Sequence, residues 1–407
     1  MPVIHLPASV SDILSRLAAA GYTAHAVGGC VRDSLLGRPV HDWDITTSAT
    51  PDEIKAVFAH NRIIDTGIRH GTVTVMWDGQ PFEITTYRVD GTYTDGRHPD
   101  EVTFTGNLSE DLARRDFTVN AMAYAPSDGL IDLYGGREDL HRGLIRAVGD
   151  PLRRFTEDAL RILRAARFAA VLGFFVEEQT LSAALELRGR LAMVSGERIC
   201  GEMNKMLTAD FAAPVLRAAS PLLSAAWPCL SAEAFCASAD VVSALPARLP
   251  LRLAAVFAQS LPSAPAATLL SLRQSRRTAE EAAAILSVAQ TLSVGGQGRE
   301  EKLSLLGKYG LSVCTDACLL AQAAGLLPDE AAQQYAHDFA RWQAEGTCCK
   351  KSDLALTGAD LLGLGIPSGE AVGRLLDELL RLVMAGRLQN TRTALADHVC
   401  KRTEAPR

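Results

Sequence analysis

The chain has 407 residues, 48% of them hydrophobic and 22% charged, with a net charge of −6. That length exceeds one ordinary core and implies about two to four domains or subdomains, and the composition is that of a globular protein, which excludes disordered and fibrous classes. The acidic balance does not point to a nucleic-acid binder, although a local basic surface can sit on an acidic chain.

The N-terminal "MPVIHLPASV" has no basic flank before a long apolar run, so no signal peptide is expected. No apolar stretch approaches the ~18 residues of a membrane span. Nine cysteines without framework spacing read as reduced thiols of a cytoplasmic protein. Cys314 and Cys318 lie one helical turn apart and Cys348–Cys349 are adjacent; with no second pair or histidine nearby, these read as structural thiols and not zinc ligands.

In chain order, "SDILSRLAAAGY" reads as a helix with Ser11 as N-cap and Gly21 at its end, followed by a strand, "AHAVGG". "PDEIKAVFAH" is a second helix with Pro51 and acids in its first turn. "HGTVTVMW" and "FEITTYRV" alternate apolar and polar residues around "DGQP", the pattern of a β-hairpin. From about Asp150 strand signals vanish and helical periodicity takes over. "FTEDALRILRAARFAAVLGF" reads as one helix ending near Gly173, and 210–296 as several short packed helices. "LTGADLLGLGIPSGEAVGRLLDELLRL" is a helix, a Gly/Pro turn and a longer amphipathic helix, and His337–Asp338 reads as surface. The fold class is therefore α+β, a mixed head followed by an all-helical remainder.

Chemistry concentrates in "VGGCVRDSLLGRPVHDWDIT", Val27 to Thr46. If Asp42 and Asp44 lie on a strand they point to one face, and two such carboxylates can hold divalent cations about 3.5–4 Å apart for in-line phosphoryl transfer. Oxygen ligands favour Mg²⁺ or Mn²⁺ over zinc. Glu83 is the head acid placed to serve as a third ligand, or equally as a satisfied strand-edge carboxylate. Gly28 and Gly29 let the backbone approach a phosphate, and Arg32 follows on the next helix. In "RRDFTVNAM" the arginines suit a triphosphate, while Asp116 is either a ribose ligand or a charged helix cap.

Asp158 and Arg161, three apart, would share a helical face. A carboxylate accepts and a guanidinium donates, so the pair matches the amino donor and ring-nitrogen acceptor that cytosine and adenine share. Uracil and guanine present the reverse. Arg161, Arg164 and Arg167 trail one another by about 60° and form a winding basic stripe. Intrahelical pairs with Glu157 and Asp158 would account for one or two of them, not three.

Together these residues resemble the class II tRNA nucleotidyltransferase / poly(A) polymerase family, the bacterial-type CCA-adding enzymes. The matching motifs are "GGCVRD", "DWDI", "TGIRHGTVTV", "YRVDGTYTDGRHPDEVTFT", "EDLARRDFTVNAM", "LIDLYGGREDL", "EDALRILRAARFA" and "SGERICGEMNKML", in order over residues 22 to 207. The resemblance implies a polymerase-β-like nucleotidyltransferase head (1–148), a helical neck for base recognition (149–210), an RNA-binding body (211–330) and a tRNA-binding tail (331–407). It implies template-independent addition of C, C and A to the tRNA 3′ end from CTP and ATP. Two Mg²⁺ ions would sit on the catalytic, metal-binding Asp42 and Asp44. Nucleotide contacts would fall on Gly29, Arg32, Arg115, Asp158, Arg161, Arg164 and Arg167. It further implies a C-to-A switching loop over Val89–Phe104, and a neck-stabilising helix carrying Arg198 and Glu202. No membrane and no protein partner is implied. Partial CC- or A-addition, poly(A) polymerisation and non-catalytic RNA binding are the rival readings.

Overall fold

The computed structural model describes residues 4–91, 102–258, 260, 264–295 and 298–404. The chain divides into two compact units, Met1–Cys236 and Ala237–Arg407.

The first unit opens with α1 (Ala8–Ala19), whose Val10, Ile13, Leu14 and Leu17 are buried. Its first helical bond runs from the Ser11 N–H to the Pro7 carbonyl, so Ser11 lies inside the first turn and is not the N-cap. Strand β1 (Ala24–Val27) leads through Gly28 into α2 (Gly29–Leu35), then come β2 (Ile45–Thr47) and α3 (Pro51–Val57). Thr50 and Glu53 cap α3 reciprocally, which fixes its start behind β2. Next are β3 (Ile63–Gly67), β4 (Thr72–Trp77) and β5 (Gln80–Thr86). The β4–β5 hairpin turns on Asp78 and Gly79, both at positive φ (49° and 79°), the conformation a two-residue Asp-Gly turn supplies.

A short antiparallel pair follows, β6 (Arg88–Asp90) with β7 (Val102–Phe104). Of the predicted switching loop Val89–Phe104, residues 92–101 lie outside the described residues. Then come α4 (Leu108–Ala113), a 3-10 turn (Thr118–Asn120), β8 (Met122–Ala125), β9 (Gly129–Asp132) and α5 (Gly136–Arg142). Seven strands form one mixed sheet in the order β3-β4-β5-β2-β1-β8-β9, with only the β5–β2 neighbours parallel. One face packs Ile45, Val73, Val75, Phe82 and Ile84 against residues of α1 and α3. The alternate residues therefore face the other way, and that side carries the site.

The helical part of this unit is α6 (Pro151–Glu157), α7 (Leu160–Leu172), α8 (Glu178–Leu187), α9 (Gly196–Leu207), α10 (Ala212–Ala218) and α11 (Ser220–Ala226). The helix expected to run unbroken through "FTEDALRILRAARF" is two: Asp158 has φ −137° and ψ 104°, and its carboxylate takes the Leu160 N–H at 3.0 Å. Asp158 thus caps a new helix and does not ride on the old one. Gly173 closes α7 in the left-handed conformation, φ 73°. Strand signals do not vanish entirely after Asp150, because β10 (Leu144–Ile145) pairs in parallel with β11 (Phe175–Val176).

α12 (Ala232–Ser243) spans the division between the units. In the second unit, α13 (Leu249–Phe257), α14 (Pro265–Ser271), α15 (Arg276–Ser293), α16 (Arg299–Ala323) and α17 (Asp329–Ala344) pack together as a bundle. α16 reaches the length and mean hydropathy (1.2) of a membrane span, contrary to expectation. It is broken at Gly310 (φ 80°, ψ 168°) and packs between α15 and α17. Its buried Asp316 pairs with Arg248 at 2.7 Å, and 39% of its apolar window is buried within the protein. Asp338 is not a surface residue: it is buried and accepts from Lys302 at 2.8 Å, Arg341 at 3.1 Å and Gln334 at 3.2 Å. The chain ends with α18 (Gly358–Gly363), α19 (Glu370–Met384) and α20 (Arg392–Glu404) around Leu356, Leu361, Leu379 and Leu395.

One glycine beneath the site is fixed by close approach. A Cβ on Gly136 would stand 2.2 Å from the Thr118 carbonyl oxygen and 3.0 Å from Met122 Cγ. Gly136→Ala is expected to cost about 1–3 kcal/mol as backbone shifts to admit the methyl. Urea unfolding of the full chain checks this; an unchanged midpoint would contradict the packing.

Candidate active site

Asp42 and Asp44 lie in extended backbone just ahead of β2, not within it as a strand reading expects. The ladder nevertheless continues, because the Val27 N–H donates to the Asp44 carbonyl at 3.0 Å. Ile45 pairs with Ile84, and one residue earlier on each strand stand Asp44 and Glu83. Both turn away from the core face, and both are exposed. Asp42, Asp44, Glu83 and Thr74 line a cavity of about 720 Å³. Partial desolvation raises the Asp44 carboxyl above its usual value; Arg115 opposes this, and Glu83 and Asp42 add to it. Carboxylate oxygens gathered around one cavity form a donor set that suits hard divalent cations. Among the described residues no three His, Cys, Asp or Glu side chains already stand in ligating array.

Arg115 acts on Asp44 through space, and its guanidinium lies in a gap left by glycine. Gly28 has φ 80°, and a Cβ there would stand 3.1 Å from Arg115 Nη1. A Cβ on Gly29, the first residue of α2, would stand 3.6 Å from Arg32 Nη2. Asp111, fully buried on α4, receives Arg114 at 2.7 and 2.9 Å, Arg115 at 3.4 Å and the Thr46 hydroxyl at 3.2 Å. Burial alone would raise its carboxyl, but Arg114 and Arg115 outweigh that and hold it below the usual range. Asp111 therefore ties the "RR" pair to β2, two residues from Asp44.

A second chain of charges joins the sheet to the neck helix. Arg32 grips Asp33 through Nε at 2.9 Å and Nη2 at 2.8 Å, and donates to Asn120 Oδ1 at 2.6 Å. Asn120 Nδ2 donates to Asp116 at 3.2 Å, and Asp116 accepts Arg164 Nε at 2.8 Å and Nη2 at 2.5 Å. With the Phe117 N–H at 2.8 Å as well, every acceptor position of Asp116 is used. Asp116 is thus neither a free ribose ligand nor a helix cap in this structure. It is the buried counter-ion of Arg164, which outweighs burial and holds its carboxyl down at about 2.

The remaining arginines are also engaged. Arg161 reaches back to Glu157 at 2.9 Å and to the carbonyls of Arg154 and Arg114 at 3.3 and 3.0 Å. Arg167 holds Glu202 of α9 at 2.6 Å, and Arg198 of α9 holds Asp158 at 2.8 Å. The helix break sets Asp158 just ahead of α7 and Arg161 in its first turn, each bonded to its own partner, Arg198 and Glu157. None of the three arginines owes its placement to a pair within its own helix: Arg161 takes Glu157 at the end of α6, and Arg164 and Arg167 take Asp116 and Glu202. Asp33, Asp111, Asn120 and Phe168 escape the sequence reading. Asn120 could have been found in "RRDFTVNAM", where a polar residue sits within an otherwise apolar turn.

A mixed sheet carrying paired carboxylates beside a field of arginines defines a nucleotidyltransferase, and the comparisons agree. Residues 24–146 match the family described as "Poly A polymerase head domain". Residues 173–220 match "Probable RNA and SrmB- binding site of polymerase A", and 253–399 match "tRNA nucleotidyltransferase domain 2 putative". The CCA-adding enzyme of Lacticaseibacillus paracasei is 38% identical over 93% of this chain and 92% of its own length. That of Leuconostoc mesenteroides is 50% identical, over 54% of this chain and about half (55%) of its own length. The crystal structure of the Bacillus stearothermophilus CCA-adding enzyme in complex with CTP superposes with a TM-score of 0.78 at 32% identity, covering 97% of each chain. The chain belongs to the CCA-adding enzyme family.

The Asp116–Arg164 pair carries a pH signature. Its folded-state pKa lies below the ordinary carboxylate value, so its stabilisation is present above about pH 4 and is lost as pH falls toward 2. Asp116→Asn, which strands a largely buried guanidinium, is expected to cost about 3–5 kcal/mol at pH 7. The gap to the parent should narrow below pH 4. Denaturant unfolding across that range checks it; a pH-independent gap would contradict the pairing.

Proposed function

We propose that this chain adds C, C and A to the 3′ end of tRNA from CTP and ATP, releasing pyrophosphate, without a nucleic-acid template. The observation that carries the reading is the juxtaposition, in one compact unit, of the carboxylates Asp42, Asp44 and Glu83 with Arg115 and the arginine-lined neck helix. Near-full-length similarity to CCA-adding enzymes supports it.

Asp42 and Asp44 would hold the metal, Mg²⁺ by the hardness of their oxygens. Two such ions bound there supply Lewis-acid activation of a hydroxyl and neutralise charge on departing pyrophosphate. The chain's own side chains do the rest. Arg32, Arg115, Arg164 and Arg167 receive the triphosphate as forked donors, and the bare backbone of Gly28–Gly29 leaves room for it. Asp158 and Arg161 read the base edge. Arg198 and Glu157 pre-orient that pair, and the carboxylate oxygens of Asp158 keep lone pairs for an amino donor. The tRNA 3′ hydroxyl enters beside Asp42 and Asp44, in the 720 Å³ cavity that no arginine lines. The division into head (1–148), neck (149–210), body (211–330) and tail (331–407) belongs to this proposal, as does work in the cytoplasm.

Three RNAs separate this reading from partial addition and from poly(A) synthesis: tRNA lacking its 3′ end, tRNA ending in CC, and an unrelated RNA, each given CTP and ATP singly and together. Products on a gel should extend by CCA, by A, and not at all. Asp42→Asn and Asp44→Asn should each lower the transfer rate by at least about 10³-fold and keep tRNA binding within about two-fold. Loss of binding in parallel would make those acids structural instead.

A further inference from the structure

Three of the arginines in the candidate nucleotide site share one neighbour that is not an acid. The guanidinium carbons of Arg167, Arg32 and Arg164 lie 3.5, 5.2 and 5.2 Å from the centroid of the Phe168 ring. Each arginine draws its carboxylate from a different place: Arg32 from Asp33 on α2, Arg164 from Asp116 after α4, Arg167 from Glu202 on α9. No acid makes an ion pair with two of them, although Glu202 and Asp116 each act through space on both Arg164 and Arg167. Phe168 is a side chain that all three guanidinium groups approach directly.

The ring is itself held rigidly. Phe168 is 5% exposed, and it meets the fully buried Phe117 edge-on, at 5.7 Å and 79°. Phe117 adjoins Asp116, so the residue that orients the ring is the chain neighbour of the carboxylate that orients Arg164. Three cations gathered this tightly repel one another. Burial lowers Arg167 from the ordinary guanidinium range, Glu202 opposes this, and Arg164 lowers it further. A negative π face offsets part of that repulsion without occupying a guanidinium N–H. A carboxylate in the same place would consume the donors a triphosphate needs, and a leucine would fill the volume without attracting the cations.

We propose that Phe168 is a positioning residue for nucleotide binding, its π face gathering Arg32, Arg164 and Arg167 into one triphosphate cradle without taking up any of their N–H donors. This rests on the reading of those arginines as the triphosphate site. It adds an aromatic residue that touches neither substrate nor metal to the determinants of nucleotide affinity. Affinity then depends on the electron density of the ring and not only on its shape.

The test varies that density at nearly constant shape. Full-length protein carries phenylalanine, 4-fluoro-, 3,5-difluoro- or 3,4,5-trifluorophenylalanine at position 168, with Phe168→Leu as a volume control and Arg32→Ala as a site control. CTP affinity is measured by calorimetry without RNA, alongside the melting temperature and the tRNA KM. The expected result is a stepwise loss of CTP affinity with each fluorine, reaching about 5- to 30-fold for the trifluoro ring and for leucine, at unchanged tRNA KM. The fluorinated proteins should melt within a few degrees of the parent. A flat fluorine series, with Arg32→Ala still weakening CTP, would overturn the role of Phe168 and leave the site in place. CTP affinity indifferent to Arg32→Ala as well would overturn the triphosphate reading beneath it.

Discussion

A buried carboxylate needs cationic company, and in this protein that company comes from another part of the first unit. Asp116, at the end of the segment that follows α4, has its charge matched by Arg164 of α7, which reaches it with two N–H donors beside those of Phe117 and Asn120. Without the pair, a charge would be stranded in the interior at a cost of several kcal/mol. With it, the helix that carries Arg161, Arg164 and Arg167 is pinned against the sheet that carries Asp42 and Asp44. Asn120 extends the linkage to Arg32 and Asp33, so a single hydrogen-bonded chain runs from the double-glycine turn to the neck.

That chain explains why an acidic protein can present a site for anionic substrates. The net charge of −6 argues against a nucleic-acid partner only if acids and bases are spread evenly. They are not. Several acids of the first unit, Asp33, Asp111, Asp116, Glu157 and Glu202, are spent as counter-ions that fix the direction of a specific guanidinium. An arginine held through one edge keeps its other N–H groups for a ligand, at little further loss of side-chain entropy. Rigid orientation, more than excess positive charge, is what this arrangement supplies.

The elements that frame the candidate site were legible in the sequence where they are local. The Gly28–Gly29 turn, the Asp-Gly hairpin and the two aspartates ahead of β2 each announce themselves within a few residues. The parallel register that sets Glu83 beside Asp44 is long-range, and only its apolar flanks hinted at it. The break at Asp158 was hidden because an Asp followed by a strong helix former fits helical periodicity as well as a cap. What decides is whether its carboxylate bonds the Leu160 N–H or points to solvent, which no spacing rule contains. The role of Asp116 was misplaced for a related reason: a sequence shows that an acid and an arginine exist, not that they are partners 48 positions apart. Phe168 drew no separate reading because, in one dimension, a ring between arginines looks like any apolar residue of a helix.

The central claim is that protein side chains alone choose the incoming base, from a cradle fixed before RNA arrives. The most direct measurement is equilibrium binding of CTP, ATP, UTP and GTP to the full-length protein in the absence of any RNA. The account predicts that CTP and ATP bind at least about ten-fold more tightly than UTP and GTP, as an interface matched to a donor beside an acceptor requires. Equal affinity for all four nucleotides, or discrimination that emerges only once tRNA is added, would contradict it.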